Sequence, residues 1–179
     1  MKYILPLPSI SDENRLMLRN IYDSCSRTNV YTDANRIKIT THFIDNTIDY
    51  NKIIEKIVIP VGLDPIDINN MWNSKDPTYN CSGINFNVLQ GDDFLNIHKD
   101  YNPTKLNILI SGCTANMIRY VEDEANECYD WSTPALIDVR PLHYVDNIET
   151  NVVPRVMMQI FLTNPFEYYK NKINLNPLW

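Results

Sequence analysis

A mainly β fold with flanking helices, closed as a sandwich or barrel of the jelly-roll or cupin-like kind, is what this sequence predicts. Three observations carry that expectation. From about Ser82 onward, short apolar stretches of period two alternate with polar turns, a rhythm of all-β sandwiches and barrels. Before Ser82 the periodicity and the caps are partly helical. The whole chain is 179 residues long, which suits one domain with a single core. The expected organisation is therefore a helical and mixed part over 1–81 packing on the barrel, a β core over 82–165, and a surface-packed tail over 166–179.

In the first part, Ser11 or Asp12 caps a helix whose apolar face is Leu18, Ile21, Tyr22 and Cys25, spaced i, i+3, i+4, i+7. Arg36 to Ile44 alternates as a strand, and a short helix over Asn51 to Val58 stops at Pro60. Asp64-Pro65 reads as an N-cap with proline at the first helical position, opening a turn through Met71-Trp72. In the second part, Ile84, Phe86 and Val88 alternate with Asn85, Asn87 and Leu89. Further strands are expected over Leu106–Ile110, Met117–Val121, Ala135–Val139 and Arg155–Leu162, and one helical turn after Pro165. Gly91 before Asp92-Asp93 marks a turn.

Composition narrows the function classes. Hydrophobic residues make up 44% and charged residues 21%, ordinary globular usage that excludes wholesale disorder. A net charge of −6 argues against a broad nucleic-acid-binding face. No stretch reaches the roughly 18 apolar residues of a membrane span, and MKYILPLP is too short and too proline-broken for a signal peptide. The four cysteines, Cys25, Cys81, Cys113 and Cys128, form no CxxC pair and read as reduced thiols of a cytoplasmic protein.

The chemistry lies with two of the three histidines. In GDDFLNIHKDYN, His98 and Asp100 are two apart, so in an extended segment both side chains leave one face. His143, in RPLHYVDN, would complete two imidazoles and one carboxylate, a facial set with open coordination positions suited to non-haem Fe(II). Structural zinc would want a fourth ligand, and no thiolate or further histidine lies nearby in sequence. Arg155 opens an apolar strand twelve residues after His143. A guanidinium buried there needs an anion, and its planar fork suits a carboxylate. His42, without a carboxylate at ligand spacing, reads as a packing or surface residue. The run Glu122-Asp123-Glu124 with Glu127 reads as a solvated loop.

The order His-x-Asp, distal His, then Arg resembles the Fe(II)/2-oxoglutarate-dependent oxygenase superfamily. Within it, Trp131 to Pro165 is similar to the aspartyl/asparaginyl β-hydroxylase group, through Trp131, Asp138, His143 with Asn147, and Pro154-Arg155. The resemblance spans roughly residues 83–165 and implies a double-stranded β-helix. It implies that His98, Asp100 and His143 hold Fe(II), and that Arg155 binds the distal carboxylate of 2-oxoglutarate. O₂ would be the second co-substrate, succinate and CO₂ the by-products, and an amino-acid or peptidyl side chain the site of hydroxylation. Met157 stands where some oxygenases place a serine, and Lys105 and Asn107 where the β-hydroxylase group tends to carry basic residues. Trp131 and Tyr101 are candidates for lining the pocket. The alternatives are a cupin-like metal-binding or structural protein without turnover, and an iron dioxygenase that does without 2-oxoglutarate. The sequence does not specify the oligomeric state.

Overall fold

The computed structural model describes residues 1–33, 36–69, 72–73, 80–81, 83–91, 93–112, 118–121, 128–145 and 153–179. The strands are β1 (Ile4–Pro6), β2 (Arg27–Asp33), β3 (Ile37–Phe43), β4 (Trp72–Asn73), β5 (Asn80–Cys81), β6 (Ile84–Leu89), β7 (Phe94–Leu95) and β8 (Thr104–Ser111). They continue with β9 (Ile118–Tyr120), β10 (Cys128–Tyr129), β11 (Ala135–Asp138), β12 (His143–Val145) and β13 (Arg155–Leu162). Three α-helices are described, α1 (Asp12–Ser24), α2 (Thr47–Ile53) and α3 (Phe166–Lys170).

The main sheet runs β1-β11-β8-β13-β6-β3-β2, with β7 also paired to β3, and every pairing is antiparallel. A smaller sheet runs β10-β9-β12. This is the expected mainly β, jelly-roll-like architecture: a curled antiparallel sheet with few helices. β1, β2 and β3, all before residue 82, lie in the same sheet as the later strands.

The alternation of the strands assigns the two faces of the main sheet. Phe86, Val88, Leu106, Ile108, Met158 and Ile160 point to one face and share a buried cluster with Leu18 and Ile21 of α1. Ser11 caps α1, its Oγ accepting from the Asn14 N–H at 3.2 Å. Phe166, Tyr169, Ile173 and Trp179 join the same cluster. The C-terminal segment thus anchors four side chains in the core, while Tyr168, Leu175 and Leu178 stay exposed. The Ser11 N–H donates to the Trp179 carbonyl at 2.7 Å and ties the segment's end to the start of α1.

Two local expectations are revised. The helix around residue 50 begins earlier, at Thr47, because Asn46 caps it by accepting from the Asp49 N–H. It continues as a π-turn over Ile54–Val58. Asp64 does cap a turn, but only Pro65–Asp67 is helical, and Trp72 belongs to β4. Asn147, Cys113 and the run 122–127 lie outside the described residues. Cys25 and Cys128 are free thiols.

Candidate active site

The opposite face of the main sheet meets the smaller sheet around a second buried cluster that includes Ile118, Tyr120, Tyr129, Trp131, Ile137 and Met157. Beside it opens a cavity of about 720 Å³. His98, Asp100, His143 and Arg155 all line it.

One backbone pairing brings the first three together. The His98 N–H donates to the His143 carbonyl at 2.9 Å, and the His143 N–H returns the bond to the His98 carbonyl at 3.0 Å. Residues paired in this reciprocal way stand directly opposite each other with side chains on the same face. The imidazole centroids are accordingly 4.4 Å apart. Asp100, two residues after His98, comes back to that face, and its N–H is pinned to the Val139 carbonyl at 3.1 Å. One nitrogen from each ring and one carboxylate oxygen lie within 4.8 Å of one another. His143 Nε2 is 3.4 Å from Asp100 Oδ2, and His98 Nε2 is 4.0 Å from Oδ1.

The ring tautomers follow from the hydrogen bonds. His98 Nδ1 is 2.6 Å from the Asn96 carbonyl, and His143 Nδ1 is 2.9 Å from the Pro141 carbonyl. A carbonyl only accepts, so each Nδ1 carries a proton and each Nε2 is the nitrogen turned inward. A carbonyl bonded to the outer ring nitrogen in this way fixes the orientation of a metal-binding histidine. Burial, reinforced by the neighbouring His143, pushes the His98 pKa below its ordinary value and favours the neutral ligand form. Burial alone would raise the Asp100 carboxyl. The Lys105 ammonium, with its Nζ 2.7 Å from Asp100 Oδ2, outweighs it and holds the group well below the usual carboxylate range. Two imidazole nitrogens and one carboxylate form a donor set that can hold a divalent metal and leave positions open.

Arg155 opens β13 opposite Leu89 of β6 and is only 3% exposed. Burial lowers its pKa from 12.5 to about 10. The backbone beside it leaves no room for a side chain: a Cβ on Gly112, at φ +106°, would lie 2.6 Å from Arg155 Cα and 2.7 Å from the Pro154 carbonyl. The register slip between Val156 and Met157 sits at the same place. The chain has only four glycines, so one closing a strand was a signal the sequence did offer.

Trp131 and Tyr101 both line the cavity, Trp131 buried with φ +60° and Tyr101 at the exposed rim. Asp138 is buried and paired with Arg140, two bonds at 3.0 and 2.6 Å, so it shapes the turn into His143 and does not join the cluster. His42 packs against Tyr22 outside the cavity, as expected of a packing residue. Sequence reasoning passed over Asn85, Asn87 and Gln159, which also line the cavity. Alternating polar residues read as a solvent face, and nothing local distinguishes a wet cavity from bulk water.

Neither a protein-family model nor a curated protein sequence matches the chain. Among solved structures, an oxidoreductase of the 2OG-Fe(II) oxygenase family from Burkholderia pseudomallei matches with a TM-score of 0.61. The fold is shared. The match covers 90% of this chain and 86% of that one at 10% identity, so the likeness is one of architecture. Among the described residues no helix is long and apolar enough to cross a membrane.

Proposed function

We propose that the chain is an Fe(II)- and 2-oxoglutarate-dependent oxygenase that hydroxylates an amino-acid or peptidyl side chain, releasing succinate and CO₂. The observation that carries this reading is the convergence of His98, Asp100 and His143 on a cavity that Arg155 also lines. The fold shared with a member of the 2OG-Fe(II) oxygenase family supports it. In this reading the three ligands hold the iron, and bound iron supplies the activation of O₂.

The protein's own part is positioning. The Asn96 and Pro141 carbonyls lock both imidazoles with Nε2 inward. Lys105 keeps one Asp100 oxygen in a fixed ion pair. Arg155 offers its fork to the distal carboxylate of the co-substrate. The enclosing side chains, Trp131 among them, limit water around the reacting groups.

The test is succinate release from 2-oxoglutarate under air with Fe(II), over a panel of amino acids and peptides. Turnover that disappears in His143→Ala and in Asp100→Ala is the expected result. Tight binding of a divalent metal with no succinate under any condition would favour the cupin-like binding protein.

A further inference from the structure

The two ends of the main sheet are finished differently. At one end β1 is three residues long and closes on Pro6, with Lys2 and Pro8 beside it. Short length, proline and lysine are common guards against pairing with another chain. At the other end β2 runs for seven residues, RTNVYTD, with no proline, lysine or glycine. It pairs with β3 over seven consecutive residues without a bulge, and no other strand among the described residues pairs with it. Val30 and Tyr31, on opposite faces of β2, are 58% and 43% exposed. An edge this long and regular presents a row of backbone N–H and C=O groups to one more strand.

The order of residues in β2 says which strand fits. A two-fold interface meets itself with the same patch on both copies, so it must be self-complementary. Laid antiparallel on a second copy, the register that uses all seven residues turns about Val30. It sets Arg27 opposite the partner's Asp33, Thr28 opposite the partner's Thr32, and Asn29 opposite the partner's Tyr31. On the axis, Val30 meets the partner's Val30. Opposite charges and Thr–Thr pairs are among the cross-strand combinations that stabilise an antiparallel ladder, and no like charges meet. Arg27 already bonds Asp45 at 3.0 Å with its side chain 42% exposed, and the five donors of a guanidinium can serve two carboxylates.

We propose that the protein forms a two-fold dimer in solution through β2, which joins two main sheets into one continuous antiparallel sheet. The dimer goes beyond the oxygenase reading and does not depend on it. It does reach the cavity. Asn29, Tyr31 and Asp33 line that cavity, as do Ile37, Ile39 and Thr41 opposite them on β3. Residues that face each other across a strand pair share a side of the sheet. The partner's Tyr31 therefore stands beside Asn29 and extends the cavity wall past the edge of one chain. Val30 takes the other side of the sheet, so the axis can be substituted without touching the cavity.

The test is sedimentation velocity of the full chain over a dilution series. The parent should sediment as a dimer that dissociates on dilution, because one strand pair lies at the small end of specific interfaces. Val30→Lys and Val30→Glu each set like charges opposite one another on the axis and should raise the dissociation constant at least about tenfold. An equal mixture of the two variants should recover the dimer, since unlike charges then meet there. At dilutions where the parent is monomeric, both variants should match its thermal midpoint and its Mn(II) binding. Val30→Cys, oxidised by glutathione disulfide that is itself reduced to two thiols, should give an interchain disulfide beyond any seen in the parent. Antiparallel partners stand about 4.5–5.5 Å apart at Cα, within disulfide reach. Thr32→Cys should not cross-link, because it faces the partner's Thr28; this pair of variants decides the matter if a charged variant fails to fold. A monomer at every concentration would overturn the proposal, as would a dimer indifferent to both charged variants or a mixture that stays monomeric. So would cross-linking at Val30→Cys that is absent or no stronger than at Thr32→Cys.

Discussion

Strands β6, β8 and β13 show two faces of one sheet built to opposite rules. On one face Phe86, Leu106, Ile108, Met158 and Ile160 are fully or almost fully buried among other hydrophobic side chains. On the other, at intervening positions, stand Asn85, Lys105, Asn107, Arg155 and Gln159, also buried but polar. The first face supplies stability through apolar burial. The second gives stability up, because each polar group taken from water must find a partner. Neighbouring residues on one strand can therefore differ in what they are for, and substitutions should separate the two roles.

The largest separation is expected at the triad. His98→Ala and His143→Ala should each weaken divalent-metal binding by more than about 100-fold, read by metal titration, with a thermal midpoint close to the parent's in the metal-free state. Undiminished iron binding by His143→Ala would remove that residue from the centre. Next is Arg155. Arg155→Ala should weaken 2-oxoglutarate binding by ~2–5 kcal/mol, on the order of 30-fold to several-thousand-fold. Arg155→Lys should lose less, since it keeps the charge without the fork. Metal binding should survive both, and an unchanged dissociation constant in Arg155→Ala would end the co-substrate assignment.

The core face should behave in the converse way. Leu106→Ala should lower stability by about 2–5 kcal/mol, measured by denaturant unfolding, while the protein that remains folded binds metal as before. A loss of metal affinity matching that at His143 would show that the two faces are not separable. The smallest effect is on pH dependence. Because the folded state holds the His98 pKa below the ordinary 6.5, the unfolded chain takes up a proton first as pH falls. Stability of the metal-free protein should therefore decline from pH 6.5 downward and level off once the folded imidazole is itself protonated. His98→Asn should flatten that part of the profile, and a slope of the opposite sign would contradict a buried neutral imidazole.

Much of this was legible in the sequence, for physical reasons that differ from element to element. β6, β8 and β13 show in the alternation of Ile84 to Val88, Leu106 to Ile110 and Arg155 to Leu162, because one face of each is apolar without interruption. The triad residues His98, Asp100 and His143 stood out because the chain has only three histidines. β2 was missed: Arg27 to Asp33 is almost wholly exposed, so burial imposes no pattern on it and pairing with β3 alone makes it a strand. The pairing of Lys105 with Asp100 and the cavity-lining amides Asn85, Asn87 and Gln159 were missed too. Both depend on which strands become neighbours, and no local pattern encodes that.

The reciprocal pairing of His98 with His143 has a consequence for how such a centre is inherited. It is written as a backbone register between two short segments, so it places no demand on how many residues separate them. Loops between the two segments are free to lengthen, shorten or change composition while the imidazoles stay face to face. A shift of one residue inside either segment would instead turn its ligand to the wrong side of the sheet. Lineages that keep this centre can thus drift apart along most of their length. The signal that survives between them is two brief motifs at no fixed distance, carried by an architecture that outlasts the letters encoding it.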